Sequence, residues 1–303
     1  MLNASIIDAV GLLPAPERAM DNYQRFGIEL EYEGVREARN LRGMPWRAVR
    51  DGSLRNNGVE YVSDPLSFRD VGPNLTRIMR YAARQGARVT PRCGLHVHIN
   101  MRPYTVGQVL SLAVVYGLVE PSVFRHFADG RELSPFCVPQ YANTLLLTHL
   151  QEDTQHARLR QRVPLRNVTA SSKYAALNYS SLRTFGTVEA RHLHGTLDPR
   201  EAREWVEFWK RVVDYAIDFN DPVHVMDHFE RGGIEELQVA LLGEVVEVDP
   251  LDQEDAEAAC MLVAGDEAEG MDNFVHAAPL DEVEDDPAAW ADDELDEIED
   301  WER

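Results

Sequence analysis

The chain has 303 residues, 44% of them hydrophobic, with three cysteines and a formal net charge of −22. That length suits one large domain or two small ones, and the apolar fraction is ordinary for a globular protein. No run of about 18 apolar residues occurs, so no membrane span is predicted. The first basic residue is Arg18, so the N-terminus lacks the basic region of a signal peptide. Cys93, Cys137 and Cys260 form no CxxC pair, which suits a reducing, cytoplasmic setting.

The charge is unevenly placed. Residues 244–303 hold 24 Asp and Glu against one Arg, leaving 28 acids and 29 bases in residues 1–243. A neutral body with clustered arginines can accept an anionic nucleotide, where a uniformly acidic one would repel it. The shift predicts a folded region over 1–243 and an acidic, largely disordered tail over 244–303. Met261, Phe274, Trp290, Ile298 and Trp301 stand isolated in that tail. They are either docking points for a protein partner or solvated filler.

In chain order, residues 1–24 read as a short amphipathic helix and a turn around Pro14, Ala15 and Pro16. Residues 26–33 (Phe-Gly-Ile-Glu-Leu-Glu-Tyr-Glu) are the first strong strand. Alternation puts Ile28, Leu30 and Tyr32 on one face and Glu29, Glu31 and Glu33 on the other. Three carboxylates in a row repel, which requires either a solvated face or a cation. An Arg- and Gly-rich loop follows, and residues 58–64 form a strand closed by Pro65. Ser67 and Asp70 resemble a capping box for a helix from about 68 to 84, with Gly86 as its stop.

Residues 93–100 (Cys-Gly-Leu-His-Val-His-Ile-Asn) set two histidines on one strand face and Leu95, Val97 and Ile99 on the other. Residues 104–129 are helical, with Pro121 marking a break or kink. A short helix is expected around 145–162, and strands at 173–178 and 186–194. In the second strand Glu189 and Arg191 share a face. Asp198, Pro199 and Glu201 then open a helix as N-cap, N1 and N3. Its Trp205 and Trp209 fall on a core stripe. A last short helix covers 233–242. His192 and His194 read as surface residues, Glu33 as a solvated one, and Cys93 as a small buried one.

The polar faces of these separate strands gather Glu29, Glu31, Glu60, His96, His98, Glu189 and Arg191, with Asp51 just before the Glu60 strand. Were the strands one antiparallel sheet, such a face would be unstable without cations. Oxygen ligands favour Mg²⁺ or Mn²⁺, and an imidazole is compatible with either. Divalent ions beside basic residues suggest a nucleoside triphosphate. The chain contains no GxxxxGK[ST], GxGxxG after a strand, or HExxH, which disfavours P-loop, dinucleotide-binding and zincin chemistry. His-x-His is also a zinc spacing, so a zinc-dependent hydrolase using His96 and His98 is the sharpest rival. The Arg-rich stretch 158–166 has no recognition fold around it, so no nucleic-acid partner is expected.

Four motifs in order resemble the amidoligase family of the glutamine synthetase and glutamate–cysteine ligase superfamily. They are Gly27-Ile28-Glu29-Leu30-Glu31; Asp51-Gly52-Ser53 with Glu60-Tyr61-Val62-Ser63-Asp64-Pro65; Gly94-Leu95-His96-Val97-His98; and Thr187-Val188-Glu189-Ala190-Arg191 with Gly195-Thr196-Leu197-Asp198. The resemblance covers residues 25–215. It implies an α+β fold whose glutamine-synthetase-like antiparallel sheet, backed by helices, binds ATP and two or three Mg²⁺ or Mn²⁺ ions on a concave face. It implies amide or isopeptide formation through an acyl-phosphate, from a small-molecule or peptide carboxylate and an amine. By position, Glu29, Glu31, Glu60, His96 and Glu189 match metal ligands. Arg191 matches the arginine that stabilises the transferring phosphoryl group, and Asp51 an acid that binds metal or accepts the amine's proton. His98 would contact phosphate or orient its neighbour. Lys173 and Arg183 are phosphate candidates by charge and placement, and the 36–47 loop with residues 174–178 is a candidate pocket lining. A protein keeping this fold but only binding a basic partner through the acidic tail is the non-catalytic alternative.

Overall fold

The computed structural model describes residues 2–12, 24–36, 41–128, 130–159, 165–171 and 173–265. The turn expected at Pro14, Ala15 and Pro16, part of the 36–47 loop, and tail residues Phe274, Trp290, Ile298 and Trp301 lie outside them. Six strands form one open sheet: β1 (Phe26–Tyr32), β2 (Trp46–Val49), β3 (Val59–Ser63), β4 (Gly94–Asn100), β5 (Leu177–Asn178) and β6 (Thr187–His194). Their order is β2-β3-β1-β4-β6-β5, and every pairing is antiparallel. The two longest early strands, β1 and β4, are therefore neighbours at the centre.

Strand alternation decides what each sheet face does. Phe26, Ile28, Leu30 and Tyr32 of β1, Leu95, Val97 and Ile99 of β4, and Val188 and Ala190 of β6 are buried and belong to one core. Helices cover that side: α1 (Ile6–Val10), α2 (Phe68–Arg84), α3 (Val106–Phe127), α4 (Thr144–Arg158), α5 (Ser181–Thr184), α6 (Pro199–Ala216), α7 (Pro222–Leu242) and α8 (Pro250–Ala264). α2 packs against β1 and α6, while α3 packs against β6, α6, α7 and α8. α3 is apolar on all sides and nearly all buried from 106 to 124, as befits a helix enclosed by others. It runs through Pro121 without ending there.

α6 follows its sequence signals closely. Asp198 caps it by accepting from the Arg200 amide at 2.8 Å, and Pro199 occupies the first turn, where its missing N–H costs nothing. Trp205, Phe208 and Trp209 are fully buried and pack with Phe127, Tyr116 and His192. Each such side chain contributes about 1.5–3 kcal/mol by burial, so the stripe anchors α6 to the core.

Several expectations need correction. The folded region does not stop at residue 243: Asp249 caps α8, and Ala256, Ala259, Cys260, Val263 and Ala264 are buried, with α3, α4 and α7 as neighbours. Small buried residues and an acidic exposed face hid this helix inside an acidic composition. The short helix expected over 233–242 is the second half of α7, set off by Gly233, a non-helical break at φ 73°, from a first half that begins at Pro222. The strand expected over 173–178 is confined to β5, and β2 was unannounced. Glu33 is 4% exposed and accepts from the Arg55 amide (2.9 Å) and Asn56 Nδ2 (3.3 Å), so it pins the loop before β3.

Candidate functional site

The face of the sheet opposite the apolar core carries the charged residues. Register sets Glu29 opposite His96 and Glu31 opposite Glu60, and β4 pairs His98 with Glu189. Four strands thus converge on Glu29, whose two oxygens are taken by different imidazoles. Oε2 is 3.2 Å from His96 Nδ1, and Oε1 is 3.1 Å from His98 Nε2. His96 Nδ1 also lies 3.5 Å from Glu189 Oε1, and its Nε2 lies 4.0 Å from Glu31 Oε1.

Two overlapping triads could hold a cation: Glu29, Glu60 and His96, and Glu29, His98 and Glu189. In each, one ligand atom per residue falls within 4.8 Å of the others. Carboxylate oxygens with a single imidazole per triad form a hard donor set compatible with Mg²⁺ or Mn²⁺. The sequence-matched residues Glu29, Glu60, His96 and Glu189 are all brought together. His98 joins them, beyond the phosphate-facing or orienting part expected of it. Glu31 stands outside both triads, with Oε2 accepting the Gly94 amide. Gly94 is required here, because a Cβ would sit 2.7 Å from His96 Nε2.

The electrostatics record crowding. Burial raises the Glu60 carboxyl well above its ordinary value, and the Glu29 and Glu31 charges push it further. Burial also raises Glu31, partly offset by His96. Burial would raise Glu29 too, but His98 and His96 outweigh it and hold Glu29 well below the usual range. Burial works against the charged form of His98, and the Glu29 carboxylate overrides it, raising His98. Glu189 is likewise lowered against its burial, chiefly by Arg191. Buried like charges of this kind are costly without compensation.

Arg191 donates from Nη1 to Glu189 Oε1, while its Nε is buried with no hydrogen-bond partner among the described residues. A bulge places it. Between Leu95 and Val97 the β4–β6 register slips, so Arg191 and His192 together oppose His96. The carbonyls of Arg191 and His192 accept from Arg131 at 3.2 and 3.1 Å, which satisfies backbone groups near the slip. The surface reading of His192 also needs correction, because it shares the parity of Val188 and Ala190. It is fully buried, shares a hydrogen bond with Tyr116 at 2.5 Å, and burial pushes its imidazole down to about 3.

Asp51 follows β2 at the rim. It accepts the Ser53 amide at 2.7 Å, and its charge helps raise Glu31 and Glu60. Lys173 and Arg183 are exposed. Lys173 Nζ lies 5.8 Å from the Tyr174 ring centroid, and among the described residues neither side chain makes an ion pair with the cluster. Asn178, which sequence reasoning offered only within a pocket lining, donates from Nδ2 to Glu189 Oε2 at 2.8 Å. Thr187, which carried no signal of its own, lies 3.0 Å from His98 Nδ1 through its hydroxyl.

The sequence model of the family described as "Putative amidoligase enzyme" matches residues 47–213, more than half of the chain. The match takes in β3, β4 and β6 with their site residues, while β1 with Glu29 and Glu31 lies before it. No curated protein matches the chain.

Proposed function

This chain belongs to the amidoligase family, and from that premise we propose that it is an ATP-dependent carboxylate–amine ligase of the glutamine synthetase and glutamate–cysteine ligase kind. The observation that carries the reading is the convergence of four carboxylates, two imidazoles and one guanidinium on one sheet face. Glu29, Glu60, His96, His98 and Glu189 would hold Mg²⁺ or Mn²⁺, with Glu31 beside them. When bound, the ions would neutralise phosphate charge and hold the triphosphate in line for attack.

The chain's own residues account for the remainder. A substrate carboxylate oxygen forms a bond to the γ-phosphorus as the bond to ADP breaks, giving an acyl-phosphate. Arg191 has an N–H in reserve at Nε, and a guanidinium can fork across two phosphoryl oxygens. Charge developing on the transferring group is stabilised by such a fixed donor without reorganisation. The amine then attacks the carbonyl carbon, a C–N bond forms, and phosphate leaves with the C–O electron pair. Asp51, at the rim, would accept the amine's proton.

The test is an ADP-release screen with amino acids, polyamines and peptides at fixed Mg²⁺, using the wild type and Glu189→Ala. Release that requires both a carboxylate and an amine, and disappears in Glu189→Ala, supports the ligase. Nucleotide that does not bind under any condition with Mg²⁺ or Mn²⁺ refutes it. Zinc retained through purification, with hydrolysis in place of ligation, would favour the hydrolase.

A further inference from the structure

Beyond the residues that face the cluster, two side chains decide which atoms face it. We infer that Asn178 and Thr187 are the positioning residues of this site, fixing Glu189 Oε1 and His98 Nε2 as its cation-facing atoms. The inference rests on the metal-site reading proposed above.

Asn178 sits on β5 directly opposite Glu189 and is 3% exposed. Its Oδ1 accepts both the Ser180 amide (2.8 Å) and the Ser180 hydroxyl (2.7 Å). Two donors on one oxygen settle the orientation of the amide, so Nδ2 must point the other way, at Glu189 Oε2. Oε2 is thereby tied to the edge strand. Oε1 is left turned inward, where Arg191 Nη1 donates to it and His96 Nδ1 stands 3.5 Å away. Without the amide, Oε2 would be released and Arg191 alone would restrain the terminal torsion, which is broad and roughly two-fold.

Thr187 acts on His98 in a parallel way. Its hydroxyl is 3.0 Å from Nδ1, and Nε2 faces Glu29. A hydroxyl can donate or accept. In the cation-free protein it can donate to Nδ1 while Nε2–H donates to Glu29. With Nε2 holding a cation, the ring would carry its proton on Nδ1, and the same hydroxyl would accept from it. Valine, of nearly the same shape, can do neither. Outer partners of this type set ring orientation and tautomer, and their loss typically weakens metal binding about 10–100-fold.

The experiment is a Mn²⁺ titration of the full chain, followed by electron paramagnetic resonance of free Mn²⁺, on the wild type, Glu29→Gln, Thr187→Val, Thr187→Ser and Asn178→Leu. Melting curves without metal run alongside. Thr187→Val and Asn178→Leu should each weaken Mn²⁺ binding about 10–100-fold, and Thr187→Ser should stay within about twofold of wild type because it restores the hydroxyl. A merely structural role would lower the melting temperature of Thr187→Val while leaving its Mn²⁺ affinity unchanged. If Asn178→Leu does not fold, Asn178→Ala replaces it. Folded Val and Leu variants that bind Mn²⁺ as the wild type does, while Glu29→Gln does not bind, overturn the inference and leave the metal site standing. A wild type that takes up no Mn²⁺ overturns both.

Discussion

Glu29 and Glu60 bring carboxylate oxygens within 4.8 Å of each other, and the two carboxyls shift in opposite directions, Glu60 well upward and Glu29 well downward. Burial and the neighbouring carboxylates disfavour charge on Glu60, while the histidines hold Glu29 charged. The sign follows from the raised value of Glu60. Its contribution to metal-free stability is full below the ordinary carboxylate range and is lost as pH rises through the raised folded value. Glu60→Gln has no charge to gain. Its metal-free melting temperature should therefore exceed that of the wild type at pH 8, while ligase turnover falls by orders of magnitude. A variant that melts below wild type at that pH contradicts the raised Glu60 carboxyl.

Glu29 is common to both triads, so Glu29→Ala should abolish turnover outright. Glu189→Ala removes one triad member and the Arg191 partner, and should do nearly as much. Each should also cost some stability, because Glu29 and Glu189 are held charged by buried His96, His98 and Arg191 and removing one partner leaves the other uncompensated. Circular dichroism with an ADP-release assay checks both, and turnover surviving in the two variants would remove the site assignment.

Behind the sheet, the Tyr116 hydroxyl links His192 to Glu120. Glu120 also accepts the Gln140 and Tyr141 amides at 2.8 and 3.1 Å. Burial raises Glu120 from 4.5 to about 7 and lowers His192 from 6.5 to about 3. The Glu120 contribution is full below 4.5 and lost as pH rises through about 7. The His192 contribution is full above 6.5 and lost as pH falls toward 3. Between 4.5 and 6.5 the two slopes oppose, each on the order of a few kcal/mol at full extent. Urea midpoints should vary least with pH in the wild type. Glu120→Gln should lose stability steeply on acidification, and His192→Gln should lose it as pH rises.

Gly117 marks the contact of α8 on α3. A Cβ there would stand 2.7 Å from Cys260 Sγ and 2.7 Å from Gln140 Nε2. Gly117→Ala should destabilise by about 1–3 kcal/mol through overpacking, read as a lowered denaturation midpoint. Truncation after residue 243 removes α8 altogether and should cost more than truncation after 265, because it bares the α3 surface that Ala256, Ala259, Cys260 and Val263 cover.

The site was more legible in the sequence than the packing around it. β1, β4 and β6 alternate apolar and polar residues, so one parity rule placed Glu29, Glu31, His96, His98, Glu189 and Arg191 on a common face. The same rule, applied to His192, would have put it with Val188 and Ala190 in the core. Its polarity concealed that. Asn178 and Thr187 were not readable as partners, because a hydrogen bond across strands depends on register, which one strand's pattern does not contain. α8 escaped for a compositional reason: Ala and Cys bury little apolar area each, and acids on the outer turns dominate any average. Lys173 and Arg183 were offered by charge and placement, and both are exposed.

Glu29, Glu60, His96, His98, Glu189 and Arg191 all lie within strands, and Asp51 alone sits on a connection. Connections tolerate insertion and exchange far better than paired strands do. Under the ligase reading proposed above, a lineage could therefore rewrite the connecting segments while inheriting the phosphoryl-transfer face intact. Substrate choice and reaction type would then drift at different speeds in such proteins, and kinship in chemistry would outlast kinship in substrate.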